Sequence, residues 1–275
     1  MERLQAAIEK ARAQREDRGT PLPGEAPRPQ PQPGGTDVAP LWHALRPIDT
    51  SGPMYHKGDL VAFHPGGYGS AYDMLRTRML QQAQANGWKR IAIVSSHAGS
   101  GKTTTIANLA FSLGRQSDLR TMVLDFDLRR ATLAHTLGQR QETGMADVLE
   151  GRIGFADHGL RHGENVAFGL NAGRVANPAE LLHSQRARGA IEAIEAAYQP
   201  DYLLFDLPPL LAADDSYGLL KLVDCALLIV AAEETPMSQI DLAERQIAEL
   251  TQVMGVVLNK CRIASDAYAY EYAGY

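Results

Sequence analysis

Cysteine is almost missing from this 275-residue chain, which holds only Cys225 and Cys261. Two thiols in strand-like or strand-edge surroundings make neither a disulfide framework nor a metal site, and they suit a reducing compartment. Long apolar runs are missing too. The longest uninterrupted one, Cys225–Ala232, falls far short of the ~20 residues that a bilayer-crossing helix needs. The chain opens on Glu2 and Arg3 with no apolar signal core, so a cytoplasmic protein is expected. Any recruitment to the inner face of the plasma membrane then needs a partner. No dense lysine–arginine stripe occurs and the formal net charge is −5, which argues against a nucleic-acid partner. No internal repeat is visible. With 45% hydrophobic and 21% charged residues, the chain has material for one full core with appendages.

What is present lies in three short segments, each an apolar strand-like run that ends abruptly in polar residues. The first is Arg-Ile-Ala-Ile-Val (90–94) followed by Ser-Ser-His-Ala-Gly-Ser-Gly-Lys-Thr-Thr (95–104). A helix pattern then opens with Ile106, Leu109, Ala110 and Leu113, apolar at spacings of three and four. A small-residue loop between strand and helix points backbone N–H groups and a helix N-terminus at one spot, where they bind phosphate. The loop residues Ala98, Gly99, Ser100, Gly101, Lys102, Thr103 and Thr104 are therefore read as the nucleotide cradle. Lys102 would reach the β- and γ-phosphates, and the Thr103 hydroxyl would ligate Mg²⁺. The spacing is that of a phosphate-binding loop with Ser96 in place of the first glycine.

The segment Tyr202–Phe205 supplies an acid, Asp206, at a strand end closed by Pro208-Pro209. Such a carboxylate orients the metal's water shell in proteins of this kind. In Met-Val-Leu-Asp-Phe-Asp-Leu-Arg (122–129), Asp125 and Asp127 are two apart, so on a strand they share a face. Two carboxylates on one face repel unless a cation or a proton separates them. With a magnesium–nucleotide complex nearby, one can assist the metal while the other takes a proton from an attacking hydroxyl. Asp125 is thus a candidate for both base and metal ligand, beside Asp127. Arg129 would pair with them or with a phosphate. A solvated strand end followed by a helix cap is the plainer alternative for this pair.

Residues 1–18 read as a short amphipathic helix, either a frayed charged helix or a docking element. Residues 19–40 hold seven prolines and four glycines, a composition that makes a flexible linker rather than a core. Order is expected to resume near Leu41–Tyr55 with Trp42 as an anchor, beginning a domain over 41–263. Ser70 to Asn86 reads as a helix, with Ser70 at its N-cap and Asp73 completing a capping-box variant. Strands are expected near 90–95, 121–126, 165–169, 202–206, 225–231 and 253–258, with helices between. The alternation predicts an α/β phosphate-loop fold, a mostly parallel sheet with helices on both faces. Ligand groups should gather at the carboxyl ends of its strands. The segment 264–275 carries Tyr268, Tyr270, Tyr272 and Tyr275 among small and acidic residues. It reads either as a set of phosphoacceptor phenols or as an edge strand with tyrosines at period two.

Taken together, these segments resemble the bacterial tyrosine kinases, the autokinases of capsule and exopolysaccharide loci, which are similar in fold to partition and cell-division ATPases. The resemblance covers about 41–275 and includes Asn177-Pro178-Ala179-Glu180-Leu181-Leu182 and Gly255-Val256-Val257-Leu258-Asn259-Lys260. It implies ATP and Mg²⁺ at Lys102, Thr103 and Asp206, Asp125 as the base toward a phenol, Asp127 in support of the metal, and Asn259 near the adenine. It also implies a separate transmembrane polysaccharide chain-length regulator as activator, a cognate tyrosine phosphatase and a homo-oligomer. The family's Glu-x-x-Arg-x-x-Arg assembly helix falls here on Ser70, Asp73 and Arg76, of which only Arg76 keeps its type, so the oligomer's size stays open. A nucleotide-switched positioning ATPase or scaffold shares the fold and loop but needs no tyrosine tail, and usually has an extra lysine near His97.

Overall fold

The computed structural model describes residues 37–66, 69–212 and 215–261. The expected helix at 1–18, most of the linker and the tyrosine-rich tail lie outside those residues. Among the described residues, the strands are β1 (Arg46–Pro47), β2 (Arg90–Ser95), β3 (Thr121–Asp125), β4 (Leu160–His162), β5 (Val166–Gly169), β6 (Tyr202–Asp206), β7 (Cys225–Ala231) and β8 (Gln252–Asn259). They form one sheet in the order β1-β4-β5-β3-β6-β2-β7-β8. Every neighbouring pair is parallel except β4 with β5.

The central strands are buried on both faces, which is why they read as unbroken apolar runs rather than alternating ones. Along β2, Ile91 and Ile93 point into one hydrophobic cluster and Ala92 and Val94 into the other. The first cluster is closed by α3 (Ser70–Asn86) and by α4 (Lys102–Gly114), whose Ile106, Leu109, Ala110 and Leu113 are fully buried. The second is closed by α9 (Gln185–Tyr198) and α11 (Met237–Ala248), through Ile191, Ile194, Ala243 and Ile247. The intervening elements are α5 (Thr132–Thr136), α6 (Met145–Leu149), α7 (Phe155–His158), α8 (Pro178–His183) and α10 (Asp215–Leu220), with α1 (Ala39–Ala44) and α2 (Met54–Lys57) leading in.

Two local expectations change, at the end of the linker and at the start of α3. Val38–Pro40, assigned to the linker by composition, belongs to the packed unit: Val38 is buried and Pro40 lies in the first turn of α1. Proline is tolerated there because the missing N–H would have had no intrahelical partner. Trp42 in α1 is fully buried and donates its indole N–H to the Tyr198 carbonyl at 2.8 Å. At α3, Gly69 rather than Ser70 is the N-cap, and no side chain caps the helix. Asp73 is drawn away by stronger partners: its Oδ1 accepts from Arg115 and Ser112, and from Arg76 at 3.4 Å. Charged donors outcompete a neutral backbone N–H for one carboxylate.

The topology sets the position of the site. The chain runs from β2 through α4 to β3, but β6 is inserted between those two strands. The carboxyl ends of β2, β6 and β3 therefore lie side by side, with Asp206 in register with both Ile93 and Asp125. All three motif segments end at this one place.

Candidate active site

The loop leaving β2 can turn tightly because two of its glycines sit at positive φ, 85° at Gly99 and 86° at Gly101. That region is strained for residues with a Cβ. Within the loop, the His97 carbonyl accepts the hydroxyls of Ser95 at 2.8 Å and Ser100 at 3.2 Å. The Ser96 hydroxyl lies 2.8 Å from His97 Nδ1. Helix α4 begins at Lys102, so its free N-terminal amides and its dipole face the space enclosed by the loop.

Asn259, expected near an adenine, reaches the loop itself. Its Nδ2 donates to the Ser100 carbonyl at 2.9 Å. A Cβ on Gly101 would lie 2.0 Å from that nitrogen. Gly101→Ala is accordingly expected to displace Asn259, strain the loop and abolish detectable nucleotide binding while the core still folds. Titration with a fluorescent ADP analogue, beside a thermal melt, checks it.

Lys102 is 6% exposed and Asp206 fully buried. Lys102 Nζ donates to Asp206 Oδ1 at 2.6 Å, and the Thr103 hydroxyl donates to Oδ2 at 2.9 Å. The pair places an ammonium, a hydroxyl and a carboxylate at the mouth of the amide cradle. A cleft of about 280 Å³ opens there, lined by residues 97–104, Asp127, Arg130, Pro209 and Lys260 among others.

Asp125 and Asp127 do not share a strand face. β3 ends at Asp125, and the chain turns so that the Asp127 N–H donates back to Asp125 Oδ1 at 3.1 Å. Asp127 lines the cleft and Asp125 does not. Asp125 Oδ2 and Asp127 Oδ1 are both buried without a hydrogen-bond partner. Burial, followed by the repulsion of Asp206, pushes the Asp125 carboxyl well above the usual carboxylate range. Burial also raises Asp127, against the pull of Lys102. The Thr103 hydroxyl and the Asp127 carboxylate both line the cleft, and oxygen donors of this kind suit a hard cation such as Mg²⁺.

Arg129 meets Asp127 through its backbone, whose N–H donates to that carboxylate and works against the upward push of burial. Its guanidinium forks onto Asp215 of α10, through Nε to Oδ2 and Nη2 to Oδ1, the latter at 2.9 Å. Asp215 is 1% exposed, so it offers a fixed and desolvated partner. It carries no motif signal in the sequence and was missed there, as were Arg130 and Lys260, each adjacent to a motif residue. Cys225 is buried and its thiol is pushed up to about 12, chiefly by burial, while Cys261 is exposed.

The model of the CobQ/CobB/MinD/ParA nucleotide-binding domain matches residues 91–271. A tyrosine-protein kinase, CpsD of Streptococcus pneumoniae serotype 4, is 31% identical over 202 residues, covering 72% of this chain and 86% of that protein. The tyrosine-protein kinase YwqD of Bacillus subtilis is 28% identical over 202 residues, 72% of this chain and 84% of YwqD. Among solved structures, the kinase domain of the Escherichia coli tyrosine kinase ETK superposes with a TM-score of 0.64 at 26% identity, over 74% of this chain and 80% of that one. The chain belongs to the CobQ/CobB/MinD/ParA nucleotide-binding family, and within it to the bacterial tyrosine kinases.

Proposed function

We propose that this protein is an ATP-dependent protein-tyrosine autokinase that regulates the synthesis or export of a capsular or extracellular polysaccharide. The observation that carries the reading is the pair of orphaned carboxylates, Asp125 and Asp127, set beside the Lys102–Asp206 pair at one end of the sheet. The relatives named tyrosine-protein kinases support it.

In this reading the loop amides and Lys102 hold the ATP phosphates. Thr103 and Asp206 would hold Mg²⁺, with Asp125 as a further ligand and Asp127 in support. The ion would supply positive charge that offsets the charge developing on transfer. A phenol at the cleft attacks the γ-phosphorus, the bond to the ADP oxygen breaks, and the phenolic proton passes to a carboxylate. The resemblance to the tyrosine kinases assigns that proton to Asp125, whose carboxyl is held above the usual carboxylate range by burial and the Asp206 charge. Asp127 then supports the metal. Arg130 and Lys260 put further positive charge at the cleft. The acceptors are Tyr268, Tyr270, Tyr272 and Tyr275.

A membrane-embedded chain-length regulator would activate the kinase at the inner face of the plasma membrane, and a phosphatase would reset it. No helix among the described residues is long and apolar enough to cross a membrane. The family model also covers positioning ATPases, so hydrolysis without transfer is the competing outcome. The phosphate loop here has no second lysine, which favours the kinase. Purified protein incubated with Mg·ATP should give phosphotyrosine on 264–275 by mass spectrometry, and the signal should vanish in Lys102→Met. ADP release with no phosphotyrosine at any protein concentration would replace the kinase reading with the ATPase one.

A further inference from the structure

The Asp125–Asp127 turn is held from outside by a residue that no motif marks. Both neighbouring strands end here: Leu124 and Gly169 are the last register pair of β3 and β5. Beyond that pair the backbone of 125–127 has left the ladder with β5, and its carbonyls on that side need other donors. Asn171, two residues past β5 and 1% exposed, supplies them. Its Nδ2 donates to the Asp125 carbonyl at 3.1 Å and to the Asp127 carbonyl at 3.3 Å. Its Oδ1 accepts the Met145 N–H at the start of α6 at 3.2 Å. Across the turn, the Phe126 N–H donates to the Asp206 carbonyl at 2.9 Å. The segment bearing both carboxylates is thus clamped between β6 on one side and a single buried amide on the other.

We propose that Asn171 is a positioning residue, which fixes the Asp125 and Asp127 carboxylates relative to Asp206 and so governs metal engagement and turnover while leaving nucleotide affinity alone. The physical case is one of satisfaction and geometry. A buried amide is costly unless its donors and acceptor are used, and here the NH₂ group is spent on the one turn that carries the orphaned oxygens while the oxygen is tied to α6. A site whose supporting contacts are loose loses rate before it loses binding. Among the described residues Asn171 shares no hydrogen bond with the phosphate loop, β2 or Lys102 and does not line their cleft, so the cradle should not sense its loss. The inference rests on the proposed Mg·ATP chemistry but not on the identity of the phosphate acceptor.

Two variants separate the outcomes: Asn171→Leu, similar in shape with no donor, and Asn171→Ser, which keeps one. Three measurements are made on each with wild type beside them: affinity for ADP without metal, the Mg²⁺ concentration giving half-maximal ATP turnover to ADP, and backbone hydrogen exchange at 125–128 in nucleotide-free protein. Metal-free ADP affinity should stay within about twofold, while turnover falls ~10–100-fold, the loss usual when the partner of a metal-site residue is removed. The Mg²⁺ requirement should rise and exchange at 125–128 should quicken, with Asn171→Ser intermediate. Unchanged turnover and Mg²⁺ requirement in both variants, or ADP affinity falling in step with turnover, would overturn the proposal. If wild type releases ADP but never labels tyrosine, the kinase reading falls and the Asn171 assignment is still decided by the same numbers.

Discussion

Asp125→Asn should lower phosphate transfer ~10²–10⁴-fold, the range ascribed to general acid–base catalysis, and yet raise the melting temperature of the nucleotide-free protein. Both effects share one cause. Asp125 is fully buried against Asp206, and burial together with that carboxylate raises its folded-state pKa above the unfolded value. Between the two pKa values the folded state binds the extra proton, so folding stability falls as pH rises through that window. The stabilising share is fully present below the unfolded carboxylate pKa and is lost once pH passes the folded one. Asparagine cannot ionise, so the variant should melt higher than wild type at neutral pH, with the gap narrowing toward pH 4–5.

Lys102→Met should also abolish transfer but fail in the opposite sense. It strips the cation from Asp206 at 2.6 Å, and breaking a buried pair by removing one partner costs about 3–5 kcal/mol. Its melting temperature should fall and nucleotide affinity should fall with it. Melts across pH 5–8, with transfer assays and ADP titrations on both variants, check the contrast. If both variants melt lower and lose ADP equally, Asp125 acts as a structural or metal ligand first. If Asp127→Asn loses more transfer than Asp125→Asn with ADP binding intact, the two carboxylates exchange roles.

The contrast also explains why some of the site was legible in the chain and some was not. The three motif segments could be read because each is a local sentence: an apolar run, a stop, and a functional residue at fixed spacing. Parallel strands buried on both faces leave that kind of run, and β2, β3, β5, β6, β7 and β8 all fall within a residue or two of where apolar runs placed them. β1 and β4 were invisible because they are two and three residues long, and β1 is exposed and ends in Pro47. What the sequence could not give was pairing at long range. The Arg129 guanidinium found Asp215, 86 positions away. Asn171 lies 46 positions from the carbonyl of Asp125. No periodicity encodes such contacts, because they depend on β5 and β6 flanking β3 in the sheet. The capping error at Ser70 has the same origin, since Asp73 is claimed by Arg115 from the next helix.

Deleting residues 266–275 should abolish autophosphorylation and leave ATP binding unchanged. The nucleotide contacts argued above come from β2, α4, β3, β6 and the end of β8, none of which the deletion touches. Lys260 lines the cleft and Asn259 touches the phosphate loop, so the described residues end beside the site. In the proposed trans mechanism the four phenols at 268, 270, 272 and 275 serve the site of a second copy. A phenol from one subunit would then meet Asp125 and the γ-phosphate of the next. Each transfer adds roughly −1.5 to −2 charge. Several on one segment repel one another and the acidic strand ends, so phosphorylation should loosen the assembly and close a cycle of association, transfer and release. Sedimentation of protein before and after incubation with Mg·ATP reads the loosening directly. The geometry is tested by mixing Lys102→Met protein, whose tail is intact, with an active chain lacking 266–275. Phosphotyrosine should accumulate on the Lys102→Met chain. If that chain stays unlabelled under conditions where the two co-sediment, while wild type alone labels itself at a rate independent of its concentration, transfer occurs within one subunit and the trans mechanism fails.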